Sequence, residues 1–334
     1  MEILGVKYPN INAKLKGMYA KRITKTDLSD LIKQNNLKNA VLLLKSKSNI
    51  FKNADENIDR LEIESLLEED QIEDILKIKR LLGKKDEEIF DLFLLQYEIK
   101  CIKSIFRKLF SDDKTDDIII QNVKRWTVRI FDDIKGIETV QNFYEFFEAI
   151  KRMKYNKILK KYQEQEKINV FEVENEMDKL YFETLYDKVK LDANLKKIIG
   201  SEIDLLNVLW IFRIKKYYNF DFEEIKKVLI NRYYKLNQNI INKIIQANSF
   251  QEIKEIMEKT VYKAVFTQEE DFEQEIDQYL YDINKKIFQN DIMSVAYIFA
   301  YINIIDYENN DIINTIEGIR YNMDKKEILK RLVR

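Results

Sequence analysis

The sequence predicts an all-α protein, from the scarcity of turn-forming residues, the helical spacing of apolar positions and the lack of strand-like alternation. Only six glycines and one proline occur among 334 residues, so few positions favour turns. Apolar residues recur at three- and four-residue steps. One such stripe comprises Leu92, Leu95, Ile99, Ile102 and Phe106. That spacing lines one face of a helix, so we expect long helices along most of the chain.

The composition also limits where the protein works. Hydrophobic residues make up 46% of the chain and charged residues 34%, which is typical of a folded soluble protein. The single Cys101 excludes an intrachain disulfide framework, and the start does not resemble a secretory signal. The longest nearly apolar run, 292–305, is shorter than the roughly 20 residues that a membrane-spanning helix needs. We therefore expect a cytoplasmic protein with no direct membrane span.

Charge is unevenly distributed, although the net charge is only −1. Residues 1–50 contain ten Lys or Arg and three acids, whereas acids dominate 55–88. The two stretches are either solvated helix faces that partly pair with each other, or a charge-complementary protein interface. The candidate partner-binding residues of the basic arm are Lys14, Lys16, Lys21 and Arg22.

Several classes of function are disfavoured. The chain has no histidine, which removes the most common general base and histidine-ligated zinc. It also lacks a Gly-x-x-x-x-Gly-Lys phosphate loop and a Gly-x-Gly-x-x-Gly segment. A pI near 6.0 without a recognisable motif argues against nucleic-acid binding. We therefore predict no catalytic residues, no cofactor, no metal and no nucleic-acid partner.

One segment supports an alternative. The acid pairs of 112–117, Asp-Asp-Lys-Thr-Asp-Asp, are similar to the magnesium-binding motif of helical prenyl-chain enzymes. Such a site needs a second acidic cluster on a facing helix, and none is evident. The other interpretation is a solvated polar connection between helices.

A ten-residue pattern recurs three times, at spacings of 106 and 107 residues. Each copy starts with an acid, has Asn or Cys at its fourth position and ends with Arg. The nine motif residues are Glu98, Cys101 and Arg107; Asp204, Asn207 and Arg213; and Asp311, Asn314 and Arg320. Their spacing places them nearly on one side of a helix, so we expect structural hydrogen bonds rather than ligand binding. A simpler alternative for the middle copy is a helix start of capping-box type at Ser201 and Asp204.

The repeat predicts three related helical units, at about 1–113, 114–219 and 220–334. A second similarity supports it, because Glu174–Asp178 (Glu-Asn-Glu-Met-Asp) resembles Glu273–Asp277 (Glu-Gln-Glu-Ile-Asp). We call these two stretches the echo segments. We expect the three motif helices to occupy equivalent places in the three units.

Three motifs together resemble a known family. Asp204, Asn207, Arg213 and Lys215 follow the spacing Asp-x-x-Asn-x-x-x-x-x-Arg-x-Lys. An earlier segment follows Glu-x-x-Leu-Asp-x-x-Tyr-Tyr through Glu174, Met177, Asp178, Tyr181 and Phe182. The opening Tyr-x-x-x-Asn-Ala-Arg-x-Arg pattern is approached by Tyr8, Asn12, Ala13, Lys14, Leu15 and Lys16. The chain is similar to the C subunit of the V-type ATPases, whose family includes the eukaryotic d subunit.

The resemblance implies a function without an active site in this chain. It implies three helical subdomains in a pseudo-threefold funnel, peripheral at the cytoplasmic face of the membrane. The implied partners are the central-stalk shaft subunits and the membrane proteolipid ring, and the implied role is torque transmission for proton or sodium transport or for ATP synthesis. A helical-repeat scaffold for unrelated proteins is the main alternative, and a magnesium-dependent helical enzyme is another.

The chain departs from the family pattern at several places. Cys101 stands where the first repeat would have Asn. Glu308 and Asn309 stand where a Lys-Glu pair often precedes the last repeat. A glycine expected after Ile230 is absent from 231–234. These differences concern the detailed contacts of the expected family member.

Overall fold

The architecture was determined from a computed structural model, which describes residues 7–109, 137, 140, 142–151, 153–162, 168–218, 220–292 and 294–334. Over these ranges the chain forms fifteen α helices and short 3₁₀ turns, with no β-strand. The all-α prediction is therefore confirmed.

Spatial contacts divide the chain into two compact units. The first combines Met1–Gly83 with Phe250–Arg334, and the second comprises Lys84–Ser249. The three units expected from the repeat stay a prediction. A division of the chain by spatial contacts does not show whether its parts have equivalent structures.

The first unit contains eight helices in its described residues. They are α1 (Lys7–Tyr19), α2 (Lys25–Ile32), α3 (Leu37–Lys47), α4 (Arg60–Lys79), α12 (Phe250–Met257), α13 (Phe272–Asn290), α14 (Val295–Arg320) and α15 (Lys325–Lys330). Helix α14 is central and packs against α13, α4, α2, α3 and α15. Every residue of 295–302 is buried, as expected for a helix that is apolar on all sides. The part of the apolar run from Val295 onward thus forms the first turns of the core helix of this unit.

The second unit contains seven helices in its described part. They are α5 (Lys84–Lys108), α6 (Phe143–Ala149), α7 (Asn156–Leu159), α8 (Val170–Val189), α9 (Ala193–Tyr217), α10 (Phe222–Val228) and α11 (Gln238–Gln246). Helix α8 packs against both α5 and α9, and α11 packs against α9 and α10. Across both units, none of the described helices combines the length and apolarity needed to cross a membrane.

Side-chain caps mark most helix starts in this glycine- and proline-poor chain. Among the described α helices, the capping oxygen accepts a first-turn backbone N–H at nine, whose N-caps are Thr24, Asn36, Asp59, Asn142, Asn169, Asp192, Asp221, Asn237 and Asp324. Helices α2 and α10 have complete capping boxes. Such caps satisfy N–H groups that the helix itself leaves unpaired.

Candidate functional site

All three copies of the repeat lie on long helices, α5, α9 and α14. Each of these helices is the second and longer of two consecutive helices. The pairs have 20 and 25, 20 and 25, and 19 and 26 residues, in the order α4–α5, α8–α9 and α13–α14. The two echo segments lie on α8 and α13, the first members of the last two pairs.

The acid of each copy is buried, whereas the arginines lie nearer the surface. Glu98, Asp204 and Asp311 are 6%, 0% and 1% exposed. Arg107 and Arg213 are exposed. The acid at the start of each copy is therefore placed to bind buried groups, and the arginine at the end can contact groups near the surface.

Asp204 and Asn207 of the middle copy hold the loop that follows α10. The Asp204 carboxylate accepts backbone N–H groups of Tyr234, Lys235 and Leu236, at 3.0, 2.6 and 2.9 Å. The Asn207 amide donates to the carbonyl of Ile230 at 3.0 Å and accepts its N–H at 2.9 Å. These five hydrogen bonds satisfy backbone groups of the loop, which lie outside any helix and have no helical partner.

Helix α8 binds the same loop through residues that do not belong to the repeat motif. The Glu183 carboxylate accepts the N–H of Asn231 at 3.0 Å. Tyr186 donates to the carbonyl of Tyr233 at 2.7 Å, and Arg232 forms a bidentate ion pair with Asp187. No local sequence pattern reveals these contacts, because the partners are 45 to 48 residues apart.

Gly200 explains how close the loop comes to α9. A methyl group at this position would lie 2.6 Å from Cβ of Tyr234, well inside van der Waals contact. The glycine is thus required by the close approach of Tyr234 rather than by a turn. The alternative that Ser201 and Asp204 start a helix is wrong, since α9 begins at Ala193 with Asp192 as its N-cap.

The third copy holds a later segment in a related way. Asp311 accepts the N–H of Val333 at 2.9 Å, and the Asn314 amide lies 3.5 Å from the carbonyl of Arg331. The guanidinium of Arg334, only 3% exposed, lies 3.3 Å from both Glu308 and Asp311. It also donates to the carbonyl of Ile23 at 2.6 Å, so this cluster ties α14 to the start of α2.

Asp311 gives the cluster a pH dependence. Burial raises the pKa of its carboxyl to about 6, against the opposing effects of Val333 and Arg334. A group whose pKa is raised on folding stabilises the fold below its unfolded pKa, and that stabilisation is lost as the pH rises through the folded pKa. We expect Asp311→Asn to gain stability relative to the parent chain between pH 4 and pH 6, by on the order of 2 kcal/mol. Unfolding free energies of both proteins across this range test it, and a constant difference would contradict it.

The arginines of the first and third copies bind different partners. Arg107 forms a bidentate ion pair with Glu174 of α8, which is the first residue of the echo segment. Arg320 pairs with Glu317 at 2.8 Å and donates to the carbonyl of Ile58. The equivalent placement of the three arginines stays a prediction.

The basic arm and the acidic stretch meet within the first unit. They line an open cleft of about 630 Å³ between α1, residues 48–50 and α4. The lining residues include Lys14, Met18, Lys21, Arg22, Ile50, Leu66, Glu69, Asp70, Glu73, Asp74 and Lys77. Of the four candidate partner-binding residues, only Lys16 does not line the cleft.

Arg22 forms the base of this cleft. Its guanidinium lies 2.7 Å from the carboxylates of both Asp70 and Asp74, and Tyr301 donates to Asp74 at 2.6 Å. Burial raises the pKa of the Asp70 carboxyl, although the charge of Arg22 opposes the shift. Part of the opposite charge is therefore neutralised internally, as the mutual-pairing interpretation expected.

In the described ranges, no group of three or more acidic or thiol side chains is arranged so that it could hold a metal ion. The acid-rich segment 112–117 lies outside the described residues.

Nearly the whole chain is similar to one family of ATP synthase subunits. A family model described as ATP synthase (C/AC39) subunit matches residues 11–331, a span that includes all three repeat copies. The C subunit of the A-type ATP synthase of Methanosphaera stadtmanae is 21% identical over 325 residues, covering 91% of this chain and 81% of that protein. The corresponding A-type ATP synthase proteins of Pyrococcus horikoshii and Methanosarcina barkeri are each 24% identical. They cover 67% and 46% of this chain, and 60% and 43% of their own length.

Proposed function

Because this chain belongs to the ATP synthase (C/AC39) subunit family, we propose that it is the non-catalytic coupling subunit of a rotary A/V-type ATPase. In this role it joins the shaft of the central stalk to the proteolipid ring at the cytoplasmic face of the membrane, and it transmits torque for ion transport. The observation that carries the proposal is the family match over residues 11–331.

We propose further that the helices form three related units around a pseudo-threefold axis, as a funnel that receives the shaft. Two observations support this arrangement. In each of the three pairs of consecutive helices, the first helix has 19 or 20 residues and the second has 25 or 26. In addition, Asp204 and Asp311 both use a buried carboxylate on the longer helix to hold a later segment of backbone.

A torque coupler must resist deformation, and the described contacts suit that requirement. The irregular loop 230–236 is held by bonds from both α8 and α9. Among the residues that the structure describes, the largest fully buried side chains are all Tyr or Phe. Dense packing of large side chains gives a core low compressibility and allows it to transmit strain.

Affinity capture tests the proposed function. The tagged chain, extracted from native membranes in mild detergent, should bring down the shaft and ring subunits of one ATPase, identified by mass spectrometry. Untagged membranes provide the control for unspecific recovery. Recovery of the chain with unrelated proteins instead would support the scaffold hypothesis and contradict ours.

A further inference from the structure

The cleft of the first unit has two walls of opposite charge. Helix α1 and the turn after it contribute Lys14 and Lys21, and α4 contributes Glu69, Asp70 and Glu73. Between them lie the apolar side chains of Met18, Ile50 and Leu66. The walls thus combine charge of both signs with an apolar strip, as protein interfaces do.

Internal pairing is concentrated at the base of the cleft. Arg22 there binds Asp70 and Asp74 through Nη2. Within the part of the chain that the structure describes, the side chains of Lys14, Lys21 and Glu69 make no hydrogen bond or ion pair. These outer charges are therefore available to a second molecule.

Arg22 gives an independent indication that the cleft is incomplete. Its side chain is only 9% exposed, yet its Nη1 atom is buried and has no hydrogen-bond acceptor among the described residues. A buried donor without an acceptor is costly and rare in folded proteins. Because this atom is buried, an oxygen from outside the chain can satisfy it only when the Arg22 side chain shifts toward the open part of the cleft.

We propose that this cleft is the docking groove for a mixed-charge segment of another subunit of the complex. Acidic side chains of that segment face Lys14, Lys21 and Arg22, and a basic side chain faces Glu69. A simple anion would meet the carboxylates of α4, and a simple cation would meet the lysines of the opposite wall, so the occupant must have both signs. Contact with the apolar strip favours a protein segment over a small zwitterion. The inference rests on the proposed function, which supplies the partner.

Photo-crosslinking in the assembled complex tests the docking groove. Benzoyl-phenylalanine in place of Met18 should crosslink to another ATPase subunit. The same group in place of Lys16, which is exposed on the same helix but outside the cleft, should not. Sequencing of the crosslinked peptide should reveal acidic and basic residues within one segment.

Charge reversal gives a second readout. The double variant Lys14→Glu, Lys21→Glu should reduce recovery of the crosslinked partner about tenfold at physiological salt, whereas Lys16→Glu should leave it near the parent level. All three positions are exposed, so unchanged melting temperatures are expected. If the complex assembles but neither the Met18 crosslink nor the charge effect appears, the docking inference is overturned and the proposed function stands. If the parent chain captures no ATPase subunit, both are overturned.

Discussion

Asp204→Ala should lower the unfolding free energy by about 4 kcal/mol, because it leaves three backbone N–H groups, including the buried one of Leu236, without their acceptor. The carboxylate is fully buried and binds Tyr234, Lys235 and Leu236. The loss of stability should also be visible locally, in the loop that Asp204 binds. Hydrogen exchange should show faster exchange of these three amides, while amides of α14 in the other unit keep their relative protection.

Arg213→Ala is the matched control for this prediction. Arg213 belongs to the same motif and the same helix, but its side chain is exposed. Exposed ion pairs contribute at most about 1 kcal/mol, so the variant should stay near the parent in denaturant unfolding. Equal losses for Asp204→Ala and Arg213→Ala would show that the motif acts as one buried network, contrary to the geometry.

The second large effect concerns the whole complex. Removing this protein should abolish ATP-driven ion movement while leaving ATP hydrolysis by the catalytic head intact. The reason is mechanical, since a rotor shaft that is not joined to the ring can turn without moving ions. In the proposed function the catalytic sites belong to other subunits, so hydrolysis by the detached head does not depend on this chain.

Long helices were the most predictable feature of the fold. The stripe that includes Ile99, Ile102 and Phe106 lies on α5, and all three residues are buried. Apolar periodicity predicts such helices well because one face must be removed from water. The repeat also led to residues with a structural role, since Asp204 and Asn207 both bind distant backbone.

Local patterns were less reliable at helix boundaries. Ser201 and Asp204 match a capping box, yet they lie in the middle of α9 because buried apolar residues such as Ile198 and Leu205 continue the helix on both sides. The true start is Asp192, which accepts two first-turn N–H groups. A capping motif and a buried loop-binding carboxylate look alike in sequence, and only tertiary contacts separate them.

The sequence could not show that the basic arm and the acidic stretch lie against each other. The basic arm and the acidic stretch were both visible, but their two interpretations could not be separated without geometry. The structure supports pairing at Arg22 and leaves the side chains of Lys14 and Lys21 available. Arg334, whose guanidinium reaches the carbonyl of Ile23 across 311 residues, was not a candidate at all, because a lone arginine carries no local signal.

The most direct test of the coupling role is ion pumping measured beside ATP hydrolysis in reconstituted complexes with and without this protein. We predict that complexes without it hydrolyse ATP but build no ion gradient, and that adding the purified chain restores pumping. Full pumping by complexes that lack the chain would contradict the account.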